Sequence, residues 1–352
     1  MKRRALTDYG FDHFQKSERG HVKTTYRWTS TASVMLITAL LPALMGAQAP
    51  AGRLLVANQQ AASASIVELS TGEVTHIPVG NGPHETAISP DGKWGVVGIY
   101  GVGGAPGNQL AVIDMAQKKV VRNVDLGTYT RPHALVTLKG SPFRIVATSE
   151  STQNIITVNV ETGQVISATA TGAAGSHMVA LAADEKRAFS ANVFAGSMTS
   201  LDLEKKTALG TIPIAPRSEG IAVTPSGHEA WVGSNEQGTV SIVNTATLKI
   251  DTVLTGFGVP YRLAVSPDGK LAVIVEAEAN QVSIVDAKTR KTIGTVAVGG
   301  SPRGVSISPD NKLAFITLGP QGEVLVVDLA AKSVRSRHKV QAAPDGVAYS
   351  VK

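Results

Sequence analysis

The chain has 352 residues, 43% of them apolar and 17% charged, and it contains no cysteine. That excludes disulfides, a thiolate catalyst and a lipid-anchored cysteine, so any closure of the fold rests on strand pairing and apolar burial. The formal charge of +6 is carried mainly by the first 49 residues, which leaves 26 basic and 24 acidic side chains in the rest. Basic runs there are no longer than pairs such as Lys118-Lys119 and Lys205-Lys206. Nucleic-acid binding normally needs a clustered basic stripe, and this distribution speaks against it.

From the N-terminus, residues 1–49 read as an extension and a secretory signal. Ser33 to Leu44 is an apolar stretch too short to span a bilayer, preceded by Lys23 and Arg27 and followed by Ala47-Gln48-Ala49. The expectation is cleavage after Ala49, a periplasmic or secreted product, and no stable membrane span afterwards. Residues 50–352 then form one domain.

That domain is a repeat. Short apolar runs come first at Arg53 to Asn58, Ser65 to Glu68 and Glu73 to Val79. A phrase then recurs, clearest at Pro83-His84-Glu85-Thr86-Ala87-Ile88-Ser89-Pro90-Asp91-Gly92, at Pro260 to Gly269 and at Pro302 to Asn311. Its second residue falls at His84, His133, His177, Glu219, Tyr261, Arg303 and Asp345, in steps of 49, 44, 42, 42, 42 and 42. Runs of four to eight residues rich in Val, Ile and Thr between turn residues are strands. Four strands per period in the forties mark a β-propeller blade.

Six blades follow in order at 79–127, 128–172, 173–215, 216–256, 257–299 and 300–341. The tail from Ala343 to Ser350 is a first strand with nothing after it, and the early runs are strands two to four with no first strand before them. Joining them predicts an all-β, seven-bladed propeller of four-stranded blades, closed by the C-terminal strand. Asp91-Gly92 and Asp268-Gly269 fit two-residue hairpins. Tyr100 to Asn108 is an insertion in blade one, read as a surface loop able to flank a site. Val265, Ile284, Ile307 and Val326 are expected in the core.

First strands line a propeller's channel, so the seven second residues should crowd one channel mouth. His84, His133 and His177 occupy three consecutive blades, beside Glu219. Imidazoles next to a carboxylate are a ligand set for a divalent transition metal, or a general acid and base. Arg303 can clamp an anion, and the expected partner for it is Asp345 on the next blade. Asn58, Ser149, Asn192, Ser234 and Glu276, ten residues before each third strand's closing polar residue, read as turn residues. His76, His228 and His338 read as solvated.

Over about residues 53–352 the repeats resemble the YVTN family of seven-bladed propellers, which is similar to lactonase-type propellers. The likeness rests on Gly82-Pro83-His84, Ala264-Val265-Ser266-Pro267-Asp268-Gly269-Lys270, Val285-Asp286 and, in part, Leu55-Val56-Ala57-Asn58 and Trp231-Val232-Gly233-Ser234-Asn235. Blades two and three depart from it, with Leu138-Lys139-Gly140-Ser141 and Ala182-Ala183-Asp184-Glu185 at the corner. The resemblance implies exported binding proteins, lactonase-like enzymes or a nucleic-acid binder, because fold does not transfer activity. The reading adopted is an exported, monomeric, non-catalytic propeller that binds a small molecule or a partner protein at its channel mouth. A lactonase-like or metal-assisted hydrolase using His84, His133 and His177 is the alternative, and nucleic-acid binding is third.

Overall fold

A computed structural model of the chain describes residues 50–352, so the expected signal segment and its cleavage site lie outside the described residues. Those residues form seven four-stranded antiparallel sheets with no helix among them. Six sheets are contiguous in sequence. The seventh runs, from the inside outward, Pro344–Ser350, Arg53–Asn58, Ser63–Glu68 and Val74–Pro78. Arg53 faces Ser350 and Val56 faces Val347 across the joint.

The ring is complete. Its inner strands are Pro83–Ile88, Pro132–Thr137, Ser176–Leu181, Ser218–Val223, Pro260–Val265, Pro302–Ile307 and Pro344–Ser350. Each touches the next, and the last touches the first.

The two-residue alternation of a strand explains the core. In Arg53–Asn58, Leu54 and Val56 pack against Leu313 and Phe315 of blade six, while Leu55 and Ala57 pack against Val97 and Ile113 of blade one. In Leu271–Glu276, Ala272 and Ile274 face blade four and Val273 and Val275 face blade six. Middle strands therefore carry continuous apolar runs, because both of their faces are covered. Seven apolar clusters result, one at each blade interface.

Ile284 and Val326 are fully buried as expected, but Val265 and Ile307 are only partly buried. They sit at the far ends of inner strands, where the facing side chains no longer close over them.

The corners also differ in detail. Gly92, Gly269 and Asn311 take positive φ of 75°, 71° and 63°, while the Asp before each does not. The Gly92 N–H bonds back to the Ser89 carbonyl, and Ser89 pairs with Trp94, so four residues rather than two make the loop. Asp91 Oδ1 accepts from the Ser89 hydroxyl at 2.6 Å and from the Lys93 N–H at 3.1 Å, which stabilises that longer turn.

Two further expectations are corrected. The insertion is not a loose loop. It extends the middle strands of blade one to Trp94–Val102 and Ala105–Asp114, pairing Gly101 with Pro106 and Val102 with Ala105. Asn58, Asn192 and Glu276 are interior side chains rather than turn formers. Asn58 Nδ2 donates to Ser63 at 3.0 Å and Ser65 at 2.8 Å, and Asn192 repeats this on Ser197 and Thr199. Glu276 accepts from Gln281 and Ser283 at the same offsets. Ser149 and Ser234 do serve the turns, donating to the Thr130 and Pro216 carbonyls. His228 is exposed, whereas His338 is half-buried and its pKa is lowered by that burial.

Candidate binding site at the channel mouth

Every inner strand breaks register with its neighbour at its second or third residue, for instance between Pro83 and Thr86 and between Pro260 and Arg262. A bulge re-aims side chains and here turns the expected seven toward one opening. They are held there in a chain of contacts. Asp345 Oδ2 lies 2.8 Å from His84 Nδ1, and the His84 ring lies 4.7 Å from that of His133, which lies 3.7 Å from that of His177. His177 Nε2 approaches Glu219 Oε1 at 3.3 Å. Arg303 Nη1 donates to the Tyr261 hydroxyl at 3.1 Å.

The pairing expected between Arg303 and Asp345 is not made. The imidazole of His84 takes Asp345 Oδ2, Oδ1 stays buried without a hydrogen-bond partner, and the Arg303 guanidinium lies over the Tyr261 ring, 5.2 Å from its centroid.

Four residues not expected at the site complete it. Arg262, almost fully buried, donates from Nη1 to Glu219 at 2.6 Å and from Nε to Glu85 at 3.4 Å. Glu85 and Arg262 directly follow His84 and Tyr261, and alternation along a strand would send them the other way. The bulge brings consecutive residues to the same side. Glu150 accepts from the Tyr100 hydroxyl at 2.6 Å and sits 2.5 Å from His177 Nδ1. Tyr100 is delivered by the blade-one hairpin and meets His84 and His133 edge-on.

The electrostatics follow from burial and pairing. For Asp345, burial opposes ionisation, but His84, Arg262 and Arg303 outweigh it and hold its pKa at about 2. Glu219 is likewise held at about 2, where burial is outweighed by His177 and Arg262. Glu85 goes the other way: burial dominates, Asp345 adds to it, and Arg262 only partly offsets them, giving about 7. Burial, then the neighbouring His177, His84 and Arg262, push His133 well below the ordinary range, so it is neutral. His177 is raised, because its bonds to Glu150 and Glu219 overcome burial.

A cleft of about 520 Å³ opens over this floor, lined among others by Tyr100, Glu150, His177, Phe194, Arg217, Glu219, Glu236, Tyr261, Glu278 and Arg303. A second pocket of about 430 Å³ lies on the other side of Tyr100, over His84, Gln59 and Arg131.

Of the three histidines expected as metal ligands, His133 and His177 come together with Glu150, with donor atoms within 4.8 Å of one another. His84 instead has Nδ1 on Asp345 and Nε2 at 2.7 Å from the Gln59 amide. A sequence signal for Glu150 exists in retrospect, since it is the residue just past a second strand, facing the same mouth. Tyr100 carried none beyond its place in the insertion.

No protein-family model and no curated protein matches the chain. Among solved structures, the fold is similar to that of a chain of Kuenenia stuttgartiensis hydrazine synthase, with a TM-score of 0.70 over 79% of this chain and 93% of that one. At 19% identity the likeness is one of fold: a seven-bladed propeller.

Proposed function

We propose that the protein is an exported, non-catalytic propeller of the YVTN-repeat type, acting as a monomer, whose channel mouth binds a small zwitterionic molecule. The observation that carries this is the division of charge in the 520 Å³ cleft. On its floor every carboxylate already lies against a basic side chain: Glu219 and Glu85 against Arg262, Glu150 against His177, and Asp345 against His84. At its rim Arg217, Arg303, Glu236 and Glu278 line the same space, and among the described residues none of them makes an ion pair. The floor groups are thus already partnered, and a rim carrying both signs favours a ligand that also carries both. Near-neutral charge over residues 50–352 supports this reading over nucleic acid.

Calorimetric titration with a panel of amino acids, betaines and small dicarboxylates tests it. A zwitterion should bind, and Arg303→Ala should weaken it about tenfold, the size of one exposed charge-assisted contact. Undiminished binding in that variant counts against the site.

A partner protein is the second reading, favoured by Phe194. This side chain is 70% exposed at the rim and adjoins a groove of about 540 Å³ formed with Ala195, Pro213, Ile214 and Pro216. Exposed aromatic side chains beside a pocket are common anchors of protein interfaces.

A further inference from the structure

We infer that His133, Glu150 and His177 form a binding site for one divalent transition-metal ion of the zinc or cobalt class at the floor of the cleft. The inference deepens the reading of the mouth as a binding site and rests on it.

Two imidazoles and a carboxylate are a donor set that such ions take, usually with a fourth position left for water or a ligand. All three donor atoms already lie within 4.8 Å of one another. An ion about 2.0–2.2 Å from each places the donors roughly 3–3.5 Å apart. Two shifts give that spacing: the 2.5 Å contact between His177 Nδ1 and Glu150 Oε2 opens to admit the ion, and the donors spread over 4.8 Å draw in by about 1 Å.

His133 supplies independent support. It is 1% exposed, and its Nδ1 is buried with no hydrogen-bond partner. A buried polar atom left unpaired is costly, and a cation in this pocket gives the imidazole nitrogen a partner.

The surroundings are those of a supported site. A ligating imidazole normally gives its other nitrogen to a carboxylate, and His177 Nε2 faces Glu219 Oε1 at 3.3 Å. Glu219 is itself fixed by Arg262 at 2.6 Å and by the Asn235 amide. Glu150 Oε1 is held by the Tyr100 hydroxyl, leaving Oε2 for the ion. The Arg262 charge does not face the ion alone, because Glu219 and Glu85 lie against it. His84 is excluded by its bonds to Asp345 and Gln59. Glu150, His177 and Tyr100 also line the 520 Å³ cleft, so the fourth position faces the space that receives the ligand.

The test uses the untagged full chain, stripped with chelator and titrated with Zn²⁺ by calorimetry and with Co²⁺ by visible absorption. The expected result is one equivalent bound, with the intense visible bands of a low-coordinate Co²⁺ site. Glu150→Gln and His133→Ala should each weaken binding at least about 100-fold, and Tyr100→Phe about 10-fold, as for loss of an outer partner. Melting of each variant in chelator checks that it folds, and Glu150→Gln, nearly isosteric, keeps the test decisive if His133→Ala does not. No binding by the wild type, or undiminished binding in Glu150→Gln, overturns the inference. If zwitterions bind and neither metal does, the metal site falls while the reading of the mouth stands. If metal binds as described and no zwitterion does, the metal site stands and the ligand reading falls.

Discussion

Arg262 is the side chain on which the mouth turns. It is buried beneath Tyr261, 4.6 Å from that ring's centroid, and bridges the carboxylates of Glu219 and Glu85. Removing one partner of a buried ionic group leaves the others uncompensated, at about 3–5 kcal/mol. Arg262→Met should cost about that much in urea denaturation, and a loss below 1 kcal/mol would contradict the network. Glu85 offers a pH test with a definite sign. Its pKa is about 7 in the fold against an ordinary 4.5, so its contribution is fully present below pH 4.5 and is lost as pH rises through 7. The loss is on the order of 3 kcal/mol. Glu85→Gln lacks this titration, so the wild type should lose stability relative to the variant between pH 4.5 and 8. A difference that stays constant with pH would refute the assignment. The seven residues at the start of the inner strands were legible from spacing alone, because each blade repeats them. Arg262 and Glu85 were not, because a bulge abolishes the alternation by which a sequence reports the facing of a side chain, and Glu150 lies just past a second strand, outside the repeated phrase.

At the scale of strands, apolar patterning made the middle and third strands easy to read, since neighbouring blades cover both faces. The inner strands are harder, because one end reaches the channel mouth and the other is left half open. The difference is measurable. Ile284→Ala in the third strand of blade five should cost about 2–4 kcal/mol. Val265→Ala, whose side chain is only partly buried, should cost less than half of that. Equal losses would mean that both sites are sealed to the same degree. The corners teach a similar lesson. Asp91-Gly92 is a hairpin signal, but the side-chain bonds of Asp91 to Ser89 and Lys93 favour a four-residue turn that no dipeptide rule contains. In the insertion, glycine and proline suggested a loop, and cross-strand pairing from Ile99 to Val102 overrode them.

For the whole molecule, the repeat made the blade count and the split seventh blade legible, since only one assembly uses every strand. Closure matters to the site as much as to stability. It brings Asp345, at one end of the sequence, against His84, 261 positions earlier. Without residues 343–352 the strand Arg53–Asn58 becomes an exposed edge, so that truncation should abolish soluble expression. The absence of cysteine permits a more direct measurement. Val56 and Val347 face one another across the joint, so the double variant Val56→Cys, Val347→Cys should cross-link on mild oxidation. The account predicts near-complete disulfide formation within single folded chains, seen as a reducible mobility shift on a denaturing gel, with no cross-linked dimer. Two thiols that stay free, or that link only between molecules, would show that the ring is open and that the mouth is not assembled as described.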